Sequence, residues 1–217
     1  MERKISTPVY LLAFFLSLVI FLIGIYVGYL IDSANLQSIS GEVSNVSDRV
    51  ASIQLILLSE SNSSSFCPVY LSELDALDSQ IEKIGYKLAF LEDERNIFDD
   101  ELKKKYFVLE AESYLLSKKM NTVCNSNLTL LVNFYSNKNC GQICKDQGAA
   151  VLQARDDLVH QMNVKLFSFD GELDSPVAEA FEVQYNVTLY PTLVINEKTY
   201  SGYQSSDQIK QIIKASK

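Results

Sequence analysis

The chain opens with an unbroken run of apolar residues and then changes to patterned segments. No charged residue occurs from Val9 to Ile31. Because a helix rises ~1.5 Å per residue, this run covers the roughly 30 Å hydrocarbon core of a bilayer. The pattern predicts a transmembrane helix over 9–31 in contact with membrane lipid, preceded by a short tail over 1–8.

Charges at the two ends of this run predict its orientation. Arg3 and Lys4 precede it, and Asp32 is the first charged residue after it. Basic residues favour the cytoplasmic side, so the N-terminus is expected in the cytoplasm and the rest outside the cell membrane. A cleaved signal peptide is the alternative. The run exceeds the usual apolar region of about 7 to 15 residues, and Asp32-Ser33-Ala34 is a poor cleavage site.

The next segment, 32–66, is rich in Ser and Asn. It predicts a partly ordered tether between the membrane helix and the more strongly patterned sequence that follows. Within it, the apolar stretch from Val50 to Leu58 predicts a short helix, for which Ser47 is a suitable N-cap residue.

Residues 67–124 carry two series of core positions that alternate in steps of four and three, which is typical of heptads. Charged residues crowd the remaining faces, which favours a coiled coil over two core helices of a larger fold. The two series are Tyr70, Leu74, Leu77, Ile81, Ile84, Leu88, Leu91 and Leu102, Tyr106, Leu109, Ser113, Leu116, Met120, Val123.

A turn between the two series predicts an antiparallel hairpin. The heptad phase slips between Phe98 and Tyr106, and Asp99 is a good N-cap within 96–101. In a hairpin, Cys67 and Cys124 arrive at the same end and are expected to form a disulfide. The alternative is one continuous rod ~85 Å long, in which these cysteines pair only between chains. A coiled coil also leaves oligomerisation open.

From Leu128 onward the pattern becomes that of a small α/β domain. Short apolar strands alternate with helical stretches, and Pro and Ser occupy suitable positions at helix starts. The predicted order is β-α-β-α-β-β-α: strand LTLLVNFYS, helix 145–161, strand VKLFSF, a helix beginning at Pro176, strand TLVIN, strand 199–203, and a helix capped by Ser206.

Residues 128–217 resemble the thioredoxin superfamily. The resemblance rests on Phe134-Tyr135 ending a strand, Cys140 and Cys144 followed by Lys145, Val164-Lys165-Leu166, Tyr190-Pro191-Thr192, and Gly202. It implies an α/β thioredoxin-like domain with a cis Tyr190-Pro191 bond beside the cysteines. It also implies a catalytic pair in which Cys140 is the attacking thiolate and Cys144 the resolving thiol.

The sequence departs from the family pattern at the cysteines. It has Cys-x-x-x-Cys where family oxidoreductases have Cys-x-x-Cys. Residues four apart on a regular helix have Cβ atoms about 5 to 6 Å apart, whereas a disulfide requires about 3.5 to 4.5 Å. The loop must therefore bend, and Gly141 allows it to do so. Asn133 stands where thioredoxins carry a buried aspartate, and Asn139 stands where they carry tryptophan. These losses resemble isomerases or oxidases more than a fast cytosolic reductant.

Net charge, cysteine count and the position of the histidine limit the functions that this sequence can support. A net charge of -8 without basic patches argues against nucleic-acid binding. Four cysteines form an even set on the side where disulfides persist. Related Cys-x-x-x-Cys proteins bind Cu(I), but they add a histidine from a later loop. The single histidine, His160, would lie some 24 Å along the helix from Cys144. We therefore expect no metal and no cofactor.

Together these features predict a membrane-anchored, extracytoplasmic thiol-disulfide oxidoreductase acting on protein thiols, with a membrane redox partner as a further expectation. Two alternatives stay open. One is a non-catalytic scaffold with a thioredoxin-like fold, in which Cys140-Cys144 is a structural disulfide. The other is a Cu(I)-binding assembly factor.

Overall fold

The computed structural model describes residues 7–59 and 66–216. Two compact units divide the chain, 1–42 and 43–217. The first unit is described by the N-terminal part of helix α1 (Thr7–Ser59). Its large apolar side chains from Tyr10 to Ile31 are exposed. An 18-residue window in this helix reaches a mean hydropathy of 2.7, so its length and composition suit a membrane span. Its orientation across a membrane stays a prediction.

Helix α1 replaces the tether that the sequence predicted. It runs without a break to Ser59, so Ser47 lies inside the helix and the predicted short helix with a Ser47 N-cap is wrong. The second unit contains residues 43–59 of α1, which bury an apolar stripe spaced at three and four residues: Val43, Val46, Val50 and Ile53. Burial of such a stripe outweighs the modest helix propensities of Ser and Asn. Residues 60–65 lie outside the described part.

Two antiparallel helices follow, α2 (Cys67–Arg95) and α3 (Asp100–Cys124). Asn96 ends α2 in the left-handed conformation with φ 56°. Asp99 caps α3 by accepting the Leu102 N–H at 2.9 Å. A disulfide joins Cys67 to Cys124 with their Cα atoms 5.5 Å apart, so the beginning of α2 meets the end of α3. The turn therefore lies where the sequence placed it. Coiled-coil packing between the two helices stays a prediction.

The C-terminal part is a four-stranded mixed sheet with helices. The strands lie in the order β2-β1-β3-β4; β1 and β2 are parallel, and β3 is antiparallel to both β1 and β4. The elements, in the order that the sequence predicted, are β1 (Thr129–Tyr135), α4 (Gly141–Leu158), β2 (Val164–Asp170), α5 (Pro176–Tyr185), β3 (Thr192–Ile195), β4 (Lys198–Ser201) and α6 (Ser206–Ala215). The last helix is capped by Ser205 rather than Ser206, and Gln208 completes a capping box.

Helices cover both faces of this sheet. On one face α4 and α6 enclose a core that includes Leu131, Val151 and Ile209. On the other face α3 packs with α5, and Phe107 of α3 meets Phe169 of β2 edge-on at 5.3 Å between ring centroids. Tyr114 of α3 is fully buried against three aromatic rings, those of Phe167, Phe181 and Tyr185. Helix α3 thus packs into the core of the sheet as well as into the hairpin. The sequence had predicted a hairpin over 67–124 separate from an α/β domain over 128–217, and this shared packing was not predicted.

Candidate active site

Cys140 and Cys144 form a disulfide at the start of α4, with their Cα atoms 5.5 Å apart. Cys140 is the N-cap residue of α4, and Gly141 follows with φ +54°. This left-handed residue supplies the bend that a bridge across three intervening residues needs. Cys140 is half-buried, whereas Cys144 is only 6% exposed. An attacking group can therefore reach Cys140 while Cys144 is shielded.

The loop before Cys140 is held by an acidic residue that sequence reasoning missed. Glu172 accepts hydrogen bonds from Ser136 Oγ and Asn139 Nδ2. Ser136 Oγ in turn accepts the backbone N–H groups of Lys138 at 3.0 Å and Asn139 at 2.9 Å. The hydrogen bonds from Ser136 and then Asn139 lower the pKa of Glu172. A carboxylate thus fixes the loop that leads to Cys140. In the sequence, only the position of Glu172 in the loop after β2 linked it to this end of the sheet.

The predicted proline lies at the same end of the sheet. The Tyr190-Pro191 bond is cis, as the resemblance implied. Thr192, the next residue, pairs with Phe134 near the C-terminal end of β1, and that end leads into the cysteine loop. The Tyr190 hydroxyl donates to Glu182. Burial, followed by this hydrogen bond, raises the pKa of Tyr190, which keeps the phenol protonated.

A cavity of about 680 Å³ adjoins the cysteine pair between α2, α3, β2 and α4, and Cys144 lines it. Ion pairs tie α2 to the surrounding elements: Lys165–Asp75 at 3.0 Å, Lys165–Asp78, Arg155–Glu82 at 2.6 Å, Lys145–Asp93 at 2.8 Å and Lys103–Glu92 at 2.9 Å. The hairpin and the sheet therefore build this cavity together. No motif in the sequence had linked them.

Glu110 of α3 is a carboxyl inside this cavity that is only 4% exposed. It accepts a hydrogen bond from the Tyr106 hydroxyl, and its Oε2 accepts the Ser168 N–H at 3.3 Å. Burial raises the pKa of Glu110 to about 8, against the lowering effect of these two hydrogen bonds. Glu110 therefore carries its proton at neutral pH. It lies in the segment that the sequence assigned to a solvated hairpin and was not predicted.

The raised pKa of Glu110 predicts a pH-dependent stability. From about pH 4.5 to about pH 8 the unfolded chain has lost this proton while the folded chain keeps it. The free energy of unfolding should therefore fall as pH rises, by about 1.4 kcal/mol per unit. Glu110→Gln should flatten this dependence in urea unfolding. Glu101→Gln, at an exposed carboxylate of the same helix, is the matched control. Identical curves for Glu110→Gln and the wild type would contradict the assignment.

Within 7–59 and 66–216, no group of three or more His, Cys, Asp or Glu side chains is placed to hold a metal ion. His160 lies beyond the C-terminal end of α4, and Cys144 lies in its first turn.

No family model and no curated protein matches this chain. Among solved structures it is similar to chloroplastic thioredoxin z, with 20% sequence identity and a TM-score of 0.35. The alignment covers 46% of this chain and 87% of that one. Since the TM-score is so low, the fold is judged from the chain itself. A mixed sheet in the order β2-β1-β3-β4 with helices on both faces is consistent with a thioredoxin-like fold.

Proposed function

We propose that this chain is a membrane-anchored thiol-disulfide oxidoreductase of the thioredoxin superfamily, acting through Cys140 and Cys144. The observation that carries the proposal is the unequal burial of a disulfide at a helix N-terminus. Cys140 is half-buried and Cys144 only 6% exposed. Thiol-disulfide exchange needs one accessible sulfur that is attacked and a second that leaves and returns. Pro191 lies at the same sheet end, since the next residue, Thr192, pairs with Phe134.

The position of the Cys140-Cys144 pair at the N-terminus of α4 favours thiol-disulfide exchange. A substrate thiolate attacks Cys140 Sγ, a mixed disulfide forms, and Cys144 leaves as a thiolate. A second substrate thiolate then attacks the substrate sulfur of the mixed disulfide and releases Cys140 as a thiolate. The substrate has lost two electrons and the cysteine pair has gained them. The partial positive charge at the N-terminus of α4 stabilises the Cys140 thiolate. The reverse sequence reduces a substrate disulfide.

The anchor assigns this chemistry to a compartment. Val9 to Ile31 holds the chain in the cell membrane through contact with lipid, and the basic N-terminal residues favour a cytoplasmic tail. The cysteines then face the extracytoplasmic side, where protein thiols are oxidised and disulfides persist. The substrates are protein thiols or disulfides there. A membrane redox partner returns the pair to its starting state after each turnover.

The reduction potential of the Cys140/Cys144 couple tests the proposal. The full-length protein in detergent is equilibrated in glutathione buffers, trapped by alkylation and mapped by mass spectrometry. A redox-active pair should have a potential above about -300 mV and should support turnover of scrambled ribonuclease. The Cys67-Cys124 disulfide in the same sample is the internal reference for a structural bridge. A potential below about -300 mV without turnover would instead identify a non-catalytic scaffold.

A further inference from the structure

The cavity beside the active site brings a buried acid and a buried sulfur to one surface. Glu110, Asn133 and Cys144 all line it. Asn133 of β1 is in register with Ser168 of β2, and the Ser168 N–H binds Glu110. Asn133 therefore lies one strand away from Glu110.

The Asn133 side chain lies on the α4 side of the sheet. Its neighbour Phe134 contacts Phe169, which packs against α3. Because successive residues of a strand alternate between faces, Asn133 projects to the opposite side, where α4 and Cys144 are. Asn133 is 5% exposed, and its Oδ1 has no hydrogen-bond partner. A buried acceptor without a partner indicates that a donor enters the cavity at this point.

Thiol-disulfide exchange requires a proton to be delivered to Cys144 and removed from it again. When the disulfide opens, Cys144 is released as a thiolate at a position that is 6% exposed. A buried charge without a partner is unfavourable, so the sulfur must take up a proton. The same proton must leave when Cys144 attacks again. A titratable group that lines the same cavity as Cys144 can make both transfers.

Among the described carboxyl groups that line the cavity, Glu110 is the one without a cationic partner, so it can carry this proton. The other lining carboxylates each face a cation: Asp75 and Asp78 face Lys165, Glu82 faces Arg155, Glu92 faces Lys103, and Asp93 faces Lys145. Among the described residues, Glu110 is bound only by neutral donors, the Tyr106 hydroxyl and the Ser168 N–H.

The charges that face Glu110 favour its protonated form. Asp78 and Glu82 of α2 oppose a negative charge on it. Lys165 of β2 is engaged by Asp75 and Asp78. Tyr106 on its own helix is a neutral partner whose pKa is raised well above the usual value by burial, followed by Glu110 itself. Glu110 can therefore bind and release a proton at neutral to mildly alkaline pH.

We propose that Glu110 is the proton donor and acceptor for Cys144, acting through water in the cavity that hydrogen-bonds to Asn133 Oδ1. As the disulfide opens, a proton passes from Glu110 to the Cys144 thiolate, which leaves a thiol and a carboxylate. As Cys144 attacks the mixed disulfide at Cys140, its proton returns to Glu110, the Cys140-Cys144 bond forms and the substrate leaves as a thiolate. This inference rests on the proposed function.

A single-turnover measurement isolates the second transfer. The reduced full-length protein in detergent is mixed with a chromophoric aromatic disulfide: attack by Cys140 forms the mixed disulfide and releases a first aromatic thiolate, and release of the second aromatic thiolate reports the attack by Cys144. In the wild type the rate should rise with pH to a plateau near pH 8. Glu110→Gln should slow release about 10²-fold and remove the plateau, since no general base remains.

Matched variants make this result specific. Glu82→Gln removes a negative charge from the same cavity but keeps the base, so its plateau should persist at lower pH. Glu110→Asp keeps a carboxyl and should retain a pH-dependent rate. An unchanged rate and profile in Glu110→Gln would overturn the proposal. Failure of the proposed function looks different, because protein substrates would then not turn over even though this small-probe step still depended on Glu110.

A second measurement needs no variant to be active. The carboxyl carbon of Glu110, assigned by its absence in Glu110→Gln, is titrated by ¹³C NMR in the oxidised and the reduced wild-type protein. If Cys144 and Glu110 exchange a proton, the two groups titrate as a coupled pair, and reduction should shift the Glu110 midpoint by about one pH unit. The same midpoint in both redox states would refute the proposed link.

Discussion

Replacing Cys140 by Ser should abolish thiol-disulfide exchange, because the hydroxyl cannot form the mixed disulfide on which the reaction depends. Turnover of scrambled ribonuclease by the full-length protein in detergent is the measurement. Cys144→Ser should behave differently. It keeps the half-buried sulfur of Cys140 but lacks the resolving thiol, so substrates should accumulate as mixed disulfides on non-reducing gels.

The comparison of these two variants identifies which sulfur attacks. If Cys144→Ser lost all reactivity while Cys140→Ser trapped substrates, the roles assigned from the burial of the two sulfurs would be reversed. Unchanged turnover in Cys140→Ser would exclude this pair as the catalytic site. Cys67→Ser/Cys124→Ser is the control, since these cysteines close the hairpin and should not be needed for exchange.

Loss of the hairpin disulfide should produce the largest change in stability. Cys67 and Cys124 are 57 residues apart in sequence, so their link greatly restricts the unfolded chain. The chain-entropy model gives about 4 kcal/mol for a loop of this length. Urea unfolding of Cys67→Ser/Cys124→Ser in detergent should show a loss of this size. The double replacement avoids a single unpaired thiol, which would form other disulfides.

The second disulfide provides a matched comparison. Cys140 and Cys144 are only 4 residues apart, and the same model gives about 2 kcal/mol for so short a loop. Cys140→Ser/Cys144→Ser should therefore cost about half as much stability as the hairpin variant. Equal losses would mean that loop entropy does not explain how the Cys67-Cys124 bridge acts.

Local chemistry made much of the fold predictable. The order of strands and helices after Leu128 follows from alternating patterns and from residues such as Pro176 that occur at helix starts. The turn at Asp99 was readable because an N-cap acts on a backbone group three residues away. The cis bond before Pro191 came from the family resemblance and not from local physics.

The chemistry around the cysteines was less accessible because it depends on contacts between distant residues. Glu110 meets Ser168 across 58 positions of sequence, and Glu172 meets Ser136 across 36. Neither pair belongs to a periodic pattern. The heptad series of α3 describes only the face that packs against α2. It did not predict the second buried face of α3, formed by Phe107 and Tyr114. A helix between two partners has two packing surfaces, and one heptad series describes one of them.

The position of the hairpin disulfide has a mechanical consequence. Helix α2 begins at Cys67, and β1 begins at Thr129, five residues after Cys124. When a force pulls on the chain between the apolar N-terminal segment and the sheet, the shortest covalent path runs through the two sulfurs. The hairpin then bears little of this load and is not unzipped. Reduction of this one bond would add 57 residues to the path and expose α3, the helix that carries Glu110, to that force.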